Sequence, residues 1–546
     1  MPITANGRSI SLSVSSPNPL LVPFRNEPPR NFADDQQREA FEGAIRQVRA
    51  RLPLECPMVI AGQKRMGERR IVSENPCDVS ETIARSAAAT IEDAADAVQV
   101  ARRAFDGWAE APVGERAALV LEIARRLRRR RDEFSAMMVL EAGKTWKEAD
   151  ADTIEAIDFL EYYAREMMVL AQPVHLQPEL PGELNHYGYM PLGVGVVIAP
   201  WNFPLAIPVG MVFAAIVAGN TVVFKPAEQT PAIMAMLHEL ALDAGLPRGV
   251  FQYLPGIGEE IGPGLVNNPD VDFVTFTGSR AVGLSIIEAA ARVAPGQRGV
   301  RRVVAEMGGK NAIIVDEDAD LDQSIPDILA SAFGFAGQKC SACSRVIAIG
   351  SAFEPLVKRL PEAARALAVG PAELPSSDIP AVIDADARAR IERYIELGAS
   401  EGREIFRGDI SALASRGHYV SPSVFADLRP DARLMNEEIF GPVLGITRAA
   451  DLDEALRIMN GTEYALTGGI HSRSPRNIEK ARRRAMVGNL YINRSITGAI
   501  VARQPFGGFR FSGVGSKAGG PDYLKQFLVA RSWTENIVRQ GFAPLS

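Results

Sequence analysis

Residues 193–226 read GVGVVIAPWNFPLAIPVGMVFAAIVAGNTVVFKP, and their pattern sets the fold class. Two short apolar runs, GVGVVIAP (Gly193–Pro200) and NTVVFKP (Asn220–Pro226), each end in proline, with a helix-like segment between them. The alternation continues through VFQYLPG (Val250–Gly256) and VDFVTFTGS (Val271–Ser279). Short apolar strands that alternate with helical segments predict βαβ units and a parallel sheet buried on both faces. The same sign returns in NAIIVDEDAD (Asn311–Asp320) and SRVIAIG (Ser344–Gly350), which places the start of a second α/β domain near Gly309. The fold class is α/β.

Moving outward, residues from about Asp34 to Leu52 have helical apolar spacing, and Asn75–Pro76 reads as a turn between short strands. From Thr90 to about Leu170 the pattern is helical almost throughout, opened by Thr90 and Asp93 at capping-box spacing. HLQPELPGELNHYGYMPLG (His175–Gly193) is rich in Pro and Gly and predicts an excursion or hairpin. The first residues, MPITANGRSISLSVSSPNP, lack a secretory apolar core and read as a disordered tail, with an organelle transit peptide as the alternative.

A chain of 546 residues exceeds what one compact core holds, so two or more domains are expected. Hydrophobic residues make up 47% and charged residues 23%, the balance of an ordinary globular protein. A net charge of −6 gives no electrostatic reason to bind nucleic acid or an anionic membrane. The one basic run, RRLRRRRDEF (Arg125–Phe134), reads as a solvated helix face. Four cysteines cannot form a disulfide framework in so long a chain, which favours a reducing compartment, with the cytoplasm as default. No apolar run reaches the length needed to cross a bilayer.

The familiar nucleotide signatures fail. No G-x-G-x-x-G follows a strand, and TGSRAVGLS (Thr277–Ser285) has Leu284 where a P-loop needs lysine. A strand, a turn and a helix can still hold a pyrophosphate through backbone N–H groups. FGFAGQKCSACSR (Phe333–Arg345) raises a sharper question, because Cys340 and Cys343 could be half a zinc site, a redox pair, or a reactive thiol beside a bystander. Zinc lacks a second ligand pair: Cys56 and Cys77 lie far off, and the five histidines are scattered. No metal site is expected. A redox motif normally has an aromatic before its first cysteine, where Lys339 stands. A serine hydrolase would need G-x-S-x-G, which is absent. One activated cysteine remains, with Cys343 as a small packed neighbour.

That cysteine has company. APWNFP, FKPAEQTP, FTGS, EMGGKNA, GQKC, NEEIFGPV and QPFGGF follow one another in an order that resembles the aldehyde dehydrogenase superfamily, from about Val59 to the end of the chain. The resemblance implies a Rossmann-like NAD domain (1–174 and 191–308, with an N-terminal helical segment) and a catalytic α/β domain (309–510). It also implies an oligomerisation β-flap and C-terminal tail (175–190 and 511–546). Cys340 would attack an aldehyde to give a thiohemiacetal, with Asn202 and the Cys340 backbone N–H as oxyanion donors. After hydride passes to NAD, Glu306 would activate water to hydrolyse the thioacyl intermediate, and Gly308 and Gly309 would leave its carboxylate room to swing. The implied cofactor contacts are Pro200, Trp201, Lys225, Ala227, Glu228, Gly278, Ser279, Gly283, Glu438 and Phe440. Glu228 would accept from a ribose 2′-OH and repel a 2′-phosphate, favouring NAD over NADP.

GQKCSACSR, EAIDFLEYYAR (Glu155–Arg165), PFRNEPPRNF (Pro23–Phe32) and NRSITGAIVARQPFGGF (Asn493–Phe509) are similar to one branch of that family. This branch oxidises L-glutamate γ-semialdehyde, in equilibrium with 1-pyrroline-5-carboxylate, to L-glutamate in the second step of proline degradation. Ser341, Gly498 and Ala499 would then hold the substrate's carboxylate, and Phe203 and Phe506 would flank its aliphatic chain. Ala502 stands where close relatives often carry glycine. The alternative is an aldehyde dehydrogenase for another semialdehyde or an aliphatic aldehyde. The implied partners are a small-molecule substrate and further copies of the chain, as a homodimer or higher homo-oligomer. A proline dehydrogenase partner is possible, with no nucleic acid and no membrane. In a eukaryote the compartment would be the mitochondrial matrix.

Overall fold

The structure is a computed structural model and describes residues 22–176 and 182–537. The expected tail (1–19) with residues 20–21, part of the predicted excursion (177–181) and residues 538–546 lie outside the described residues.

The opening stretch folds as its pattern predicts. Strand Val194–Ile198 leads through helix Ala206–Val217 to strand Thr221–Lys225, and the two strands pair in parallel. Every residue of that helix except Ile207 is buried, as a helix apolar on all sides requires. The strands belong to an eight-stranded sheet. Its order is Gly513–Val514, Arg302–Glu306, Phe273–Thr277, Val194–Ile198, Thr221–Lys225, Phe251–Tyr253, Met58–Ile60, Gln63–Arg65. The central five strands run parallel, and the three outer ones are antiparallel to their neighbours.

The second sheet begins at Asn311. Seven strands lie in the order Arg403–Arg407, Ser423–Ala426, Val443–Ala449, Cys343–Ile349, Asn311–Val315, Thr467–His471, Asn489–Ile492. All of them pair in parallel except the first two. Asn311–Val315 is buried along its whole length, because helices cover both faces of such a sheet.

The predicted helical region is four helices, Ile91–Glu110, Val113–Arg129, Arg131–Glu141 and Trp146–Leu170. Thr90 and Asp93 close the reciprocal capping box at the first. The basic run departs from its predicted solvated face. It crosses a helix junction at Arg130, and Arg131 is buried, donating from Nε and Nη2 to the two oxygens of Asp150 at 2.7 and 2.8 Å. Arg128 bridges Glu27 and Glu161, so acids from distant segments pair with Arg128 and Arg131, while Arg125 and Arg126 pair locally with Glu122 and Arg130 with Glu133.

Glu183–Pro191 forms an antiparallel sheet with Val174–His175 and Leu528–Asn536, in register from Pro191↔Leu528 to Glu183↔Asn536. Of Leu528–Asn536 only Leu528 is buried. Among the described residues no helix is long and apolar enough to cross a membrane.

Candidate active site

Because the central strands of the first sheet are parallel, their C-terminal ends share one edge. Pro200–Asn202, Pro226–Glu228, Gly278–Ser279 and Glu306–Gly309 all emerge there, which is where open α/β sheets bind ligands. The second sheet faces the same edge, with Cys340 just before strand Cys343–Ile349.

Cys340 and Glu306 line one cavity together with Ala499 and Phe506. Burial pushes the Cys340 thiol above its ordinary range, and the Glu306 and Glu438 carboxylates push it the same way. Burial raises the Glu306 carboxyl to about 8, and its Oε2 has no hydrogen-bond partner. A carboxyl held so is a proton acceptor waiting for a donor such as water. In the position Glu306 holds here, the glycines against its carboxylate are Gly507 and Gly513. A Cβ on Gly507 or Gly513 would stand 2.9 or 3.1 Å from Glu306 Oε1. Gly308 instead lies against the Glu438 carboxylate, which a Cβ there would overlap, and a Cβ on Gly309 would meet the Cys340 carbonyl at 2.5 Å.

Asn202 is buried at the end of its strand's loop, and its Nδ2 donates to the Gln338 carbonyl at 2.9 Å. Phe335, Ala336 and Gly337 precede Gln338 with φ of 52°, 53° and 68°, a run of left-handed residues that turns helix Leu321–Phe333 toward Cys340. Asn311 Nδ2 donates to the carbonyls of Cys340 and Ala342 at 2.7 and 2.9 Å, pinning the chain on the far side of the thiol.

On the other side of Glu306, Lys225 Nζ donates to Glu228 Oε1 at 2.8 Å, and Gly258 N–H donates to the same oxygen at 2.6 Å. Ala227 is buried beside them. Gly278 N–H donates to the Glu306 carbonyl, and Ser279 caps helix Arg280–Ala291, with Gly283 buried in its first turn. Glu438 Oε1 accepts from Gly309 N–H at 2.8 Å, and burial raises its carboxyl. The Trp201 and Phe440 rings meet edge to face at 5.6 Å, with Phe440 at φ 57°. Pro200 precedes Trp201 at the strand end. A carboxylate at one strand end, a capped helix N-terminus at another and a second buried carboxylate fit the two riboses and the pyrophosphate of a dinucleotide.

Not every predicted contact reaches the thiol's cavity. Asn202, Phe203, Ser341 and Gly498 are not among its lining residues. Phe203 stacks under the Lys144 ammonium instead, the Ser341 carbonyl accepts from Thr467, and Gly498 borders open space at φ 74°. The cavity also gathers Glu155, Phe159, Ile207, Met211, Gln504 and Tyr523, none singled out from the sequence. The segments EAIDFLEYYAR and ARQPFGGF carry three of them, so the motif was visible while the inward-facing positions were not. Cys343 is buried at the start of its strand, as expected of a packed neighbour, and all four cysteines are free. Among the described residues no group of His, Cys, Asp or Glu is arranged to hold a metal.

A sequence profile of the aldehyde dehydrogenase family matches residues 63–533. The chain is 49% identical over 516 residues to 1-pyrroline-5-carboxylate dehydrogenase of Geobacillus sp. (strain WCH70), covering 94% of this chain and 100% of that one. Among solved structures, it is similar to 1-pyrroline-5-carboxylate dehydrogenase from Thermus with bound NAD. The TM-score is 0.91 and the identity 45%, over 94% of this chain and 99% of that one. It is also similar to proline utilization A from Bdellovibrio bacteriovorus inactivated by N-propargylglycine, with TM-score 0.94 and 47% identity. That match covers 97% of this chain, which spans only 55% of the longer protein.

Proposed function

The chain belongs to the aldehyde dehydrogenase family, and on that premise we propose that it oxidises L-glutamate γ-semialdehyde, the open-chain form of 1-pyrroline-5-carboxylate, to L-glutamate. The observation that carries this reading is the single cavity that joins the Cys340 thiol and the Glu306 carboxyl to Ala499 and Phe506 of the SITGAIVARQPF segment. The first pair is the machinery of thioester formation and hydrolysis. The second pair supplies a small residue for a carboxylate to approach and a ring for an aliphatic chain to lie against.

The Cys340 thiol first gives up its proton to solvent, against the burial that raises it, and the thiolate then attacks the aldehyde carbon, forming a carbon–sulfur bond while the C=O π pair moves to oxygen. The Asn202 amide and the Cys340 N–H hold the oxygen that gains charge. Losing one such donor costs about 3–4 kcal/mol of barrier. NAD supplies the acceptor for the hydride, and Lys225, Glu228 and Glu438 are the residues that would hold its riboses. Glu306 then takes a proton from water, whose oxygen attacks the thioacyl carbon and returns the Cys340 sulfur as the leaving group. Burial serves this step, since a carboxyl raised to about 8 is a stronger base than one in water.

The exposed three-stranded sheet of Glu183–Pro191 and Leu528–Asn536 would pair with another copy of the chain, making the enzyme a homo-oligomer. A proline dehydrogenase, whose product is this substrate, is the natural partner in the cytoplasm, in line with the match to a longer proline utilization protein. The test is NAD reduction with 1-pyrroline-5-carboxylate against succinate semialdehyde. The expected result is strong preference for the first and loss of turnover in Cys340→Ala. Preference for succinate semialdehyde would refute the substrate, and activity surviving in the variant would refute the mechanism.

A further inference from the structure

Lys144 stands in the short link between helices Arg131–Glu141 and Trp146–Leu170 and is fully buried. Its ammonium donates to the backbone carbonyl of Asn202 at 2.9 Å and pairs with Asp152 Oδ2 at 3.1 Å. The same nitrogen lies 3.6 Å from the ring centroid of Phe203 and 4.6 Å from that of Phe335. Asp152 Oδ1 accepts from Ala206 N–H at 2.7 Å and so anchors the start of the helix that follows Asn202. On the other side, the Asn202 side chain donates to Gln338, two residues before Cys340. One cation therefore joins three segments: the helix that carries Asp152, the loop of Asn202 and Phe203, and the left-handed turn at Phe335.

We propose that Lys144 is a positioning residue that acts through Asn202. By holding the Asn202 carbonyl it sets the plane from which the amide side chain projects, and by gripping Phe203 and Phe335 it fixes that amide against the loop of Cys340. Stability alone does not account for such a group. A buried ion pair is commonly no more stable than apolar residues of the same volume, whereas displacing an oriented group by an ångström costs about a hundredfold in rate. This inference rests on the reading of Asn202 as an oxyanion donor.

The test compares wild type with Lys144→Met, Asn202→Ala and the double variant in the NAD-reduction assay. KM for NAD and the rate of Cys340 alkylation by iodoacetamide serve as controls. Asn202→Ala should lower kcat by roughly 10²–10³-fold. Lys144→Met should lower kcat by roughly tenfold to a hundredfold, with KM for NAD and alkylation within about twofold of wild type. The double variant should be no slower than Asn202→Ala alone. A wild-type kcat in Lys144→Met, or losses that multiply in the double variant, overturns the inference while leaving Asn202 its role. Full turnover in Asn202→Ala removes that role and the inference with it. Should Lys144→Met fail to fold with Asp152 left unpaired, Lys144→Met with Asp152→Asn removes both charges and keeps the acceptor for Ala206. The kinetic loss should persist in that variant, and recovery of full kcat would overturn the proposal.

Discussion

Burial disfavours the charged form of Glu306, yet the hydrolytic step needs its carboxylate. Folding raises this group's pKa to about 8 by burial, so the charged form is scarce below that value and abundant above it. Deacylation should therefore speed up as pH rises, with a midpoint near 8, and level off beyond it. Stopped-flow measurement of NADH release after the first turnover checks this. In Glu306→Gln the initial burst should remain while steady turnover becomes slow and loses its pH dependence. A pH-independent wild-type deacylation would count against the role. Cys340, Glu306 and Asn202 could be proposed from the sequence because each sits in a block whose neighbours point to it. Phe159 and Tyr523 were not, since a buried ring beside a ligand and a buried ring in a core have the same sequence signature. Nor was Lys144, whose partners Asp152, Asn202 and Phe335 meet only after three segments fold together.

The turn from Phe335 to Gly337 shows what a single element contributes. Gly337 combines φ 68° with a position where any Cβ would overlap the Gly441 carbonyl of the FGPV segment. Gly337→Ala should destabilise the protein by at least about 2 kcal/mol, from backbone strain plus overpacking. Thermal denaturation checks this, and an unchanged melting temperature would mean the turn adjusts freely. The same physics explains a departure noted in the sequence: Ala502 lies at φ 63°, a conformation that glycine adopts without cost and alanine tolerates. The βαβ elements were readable because strands buried on both faces are continuous apolar runs, as in Thr221–Lys225. Gly513–Val514 escaped notice because two residues carry no periodicity, and Leu528–Asn536 because both its faces are exposed and no alternation is required of it.

At the scale of the whole molecule, the exposed sheet is where the proposed contact between copies would form. Val529 and Trp533 project from the same face of Leu528–Asn536, with Met190 opposite Val529 and Trp533 stacked on His186 at 5.2 Å. So small a sheet is marginal without cover. Val529→Glu with Trp533→Glu should shift the protein to a smaller species in size-exclusion chromatography with light scattering. An unchanged mass would show that this sheet does not hold copies together. The pairing of Gly513–Val514 with Arg302–Glu306 has another consequence, for synthesis on the ribosome. A nascent chain can build the first sheet from its early segments, but the end of the border strand, Ala305–Glu306, stays unpaired until Gly513–Val514 has emerged. Through that interval an unpaired strand edge is open to association with neighbouring chains, so this region is where chaperone protection during translation would matter most. The strand end that carries Glu306 thus waits for a segment made late, Gly513–Val514, to seat beside it.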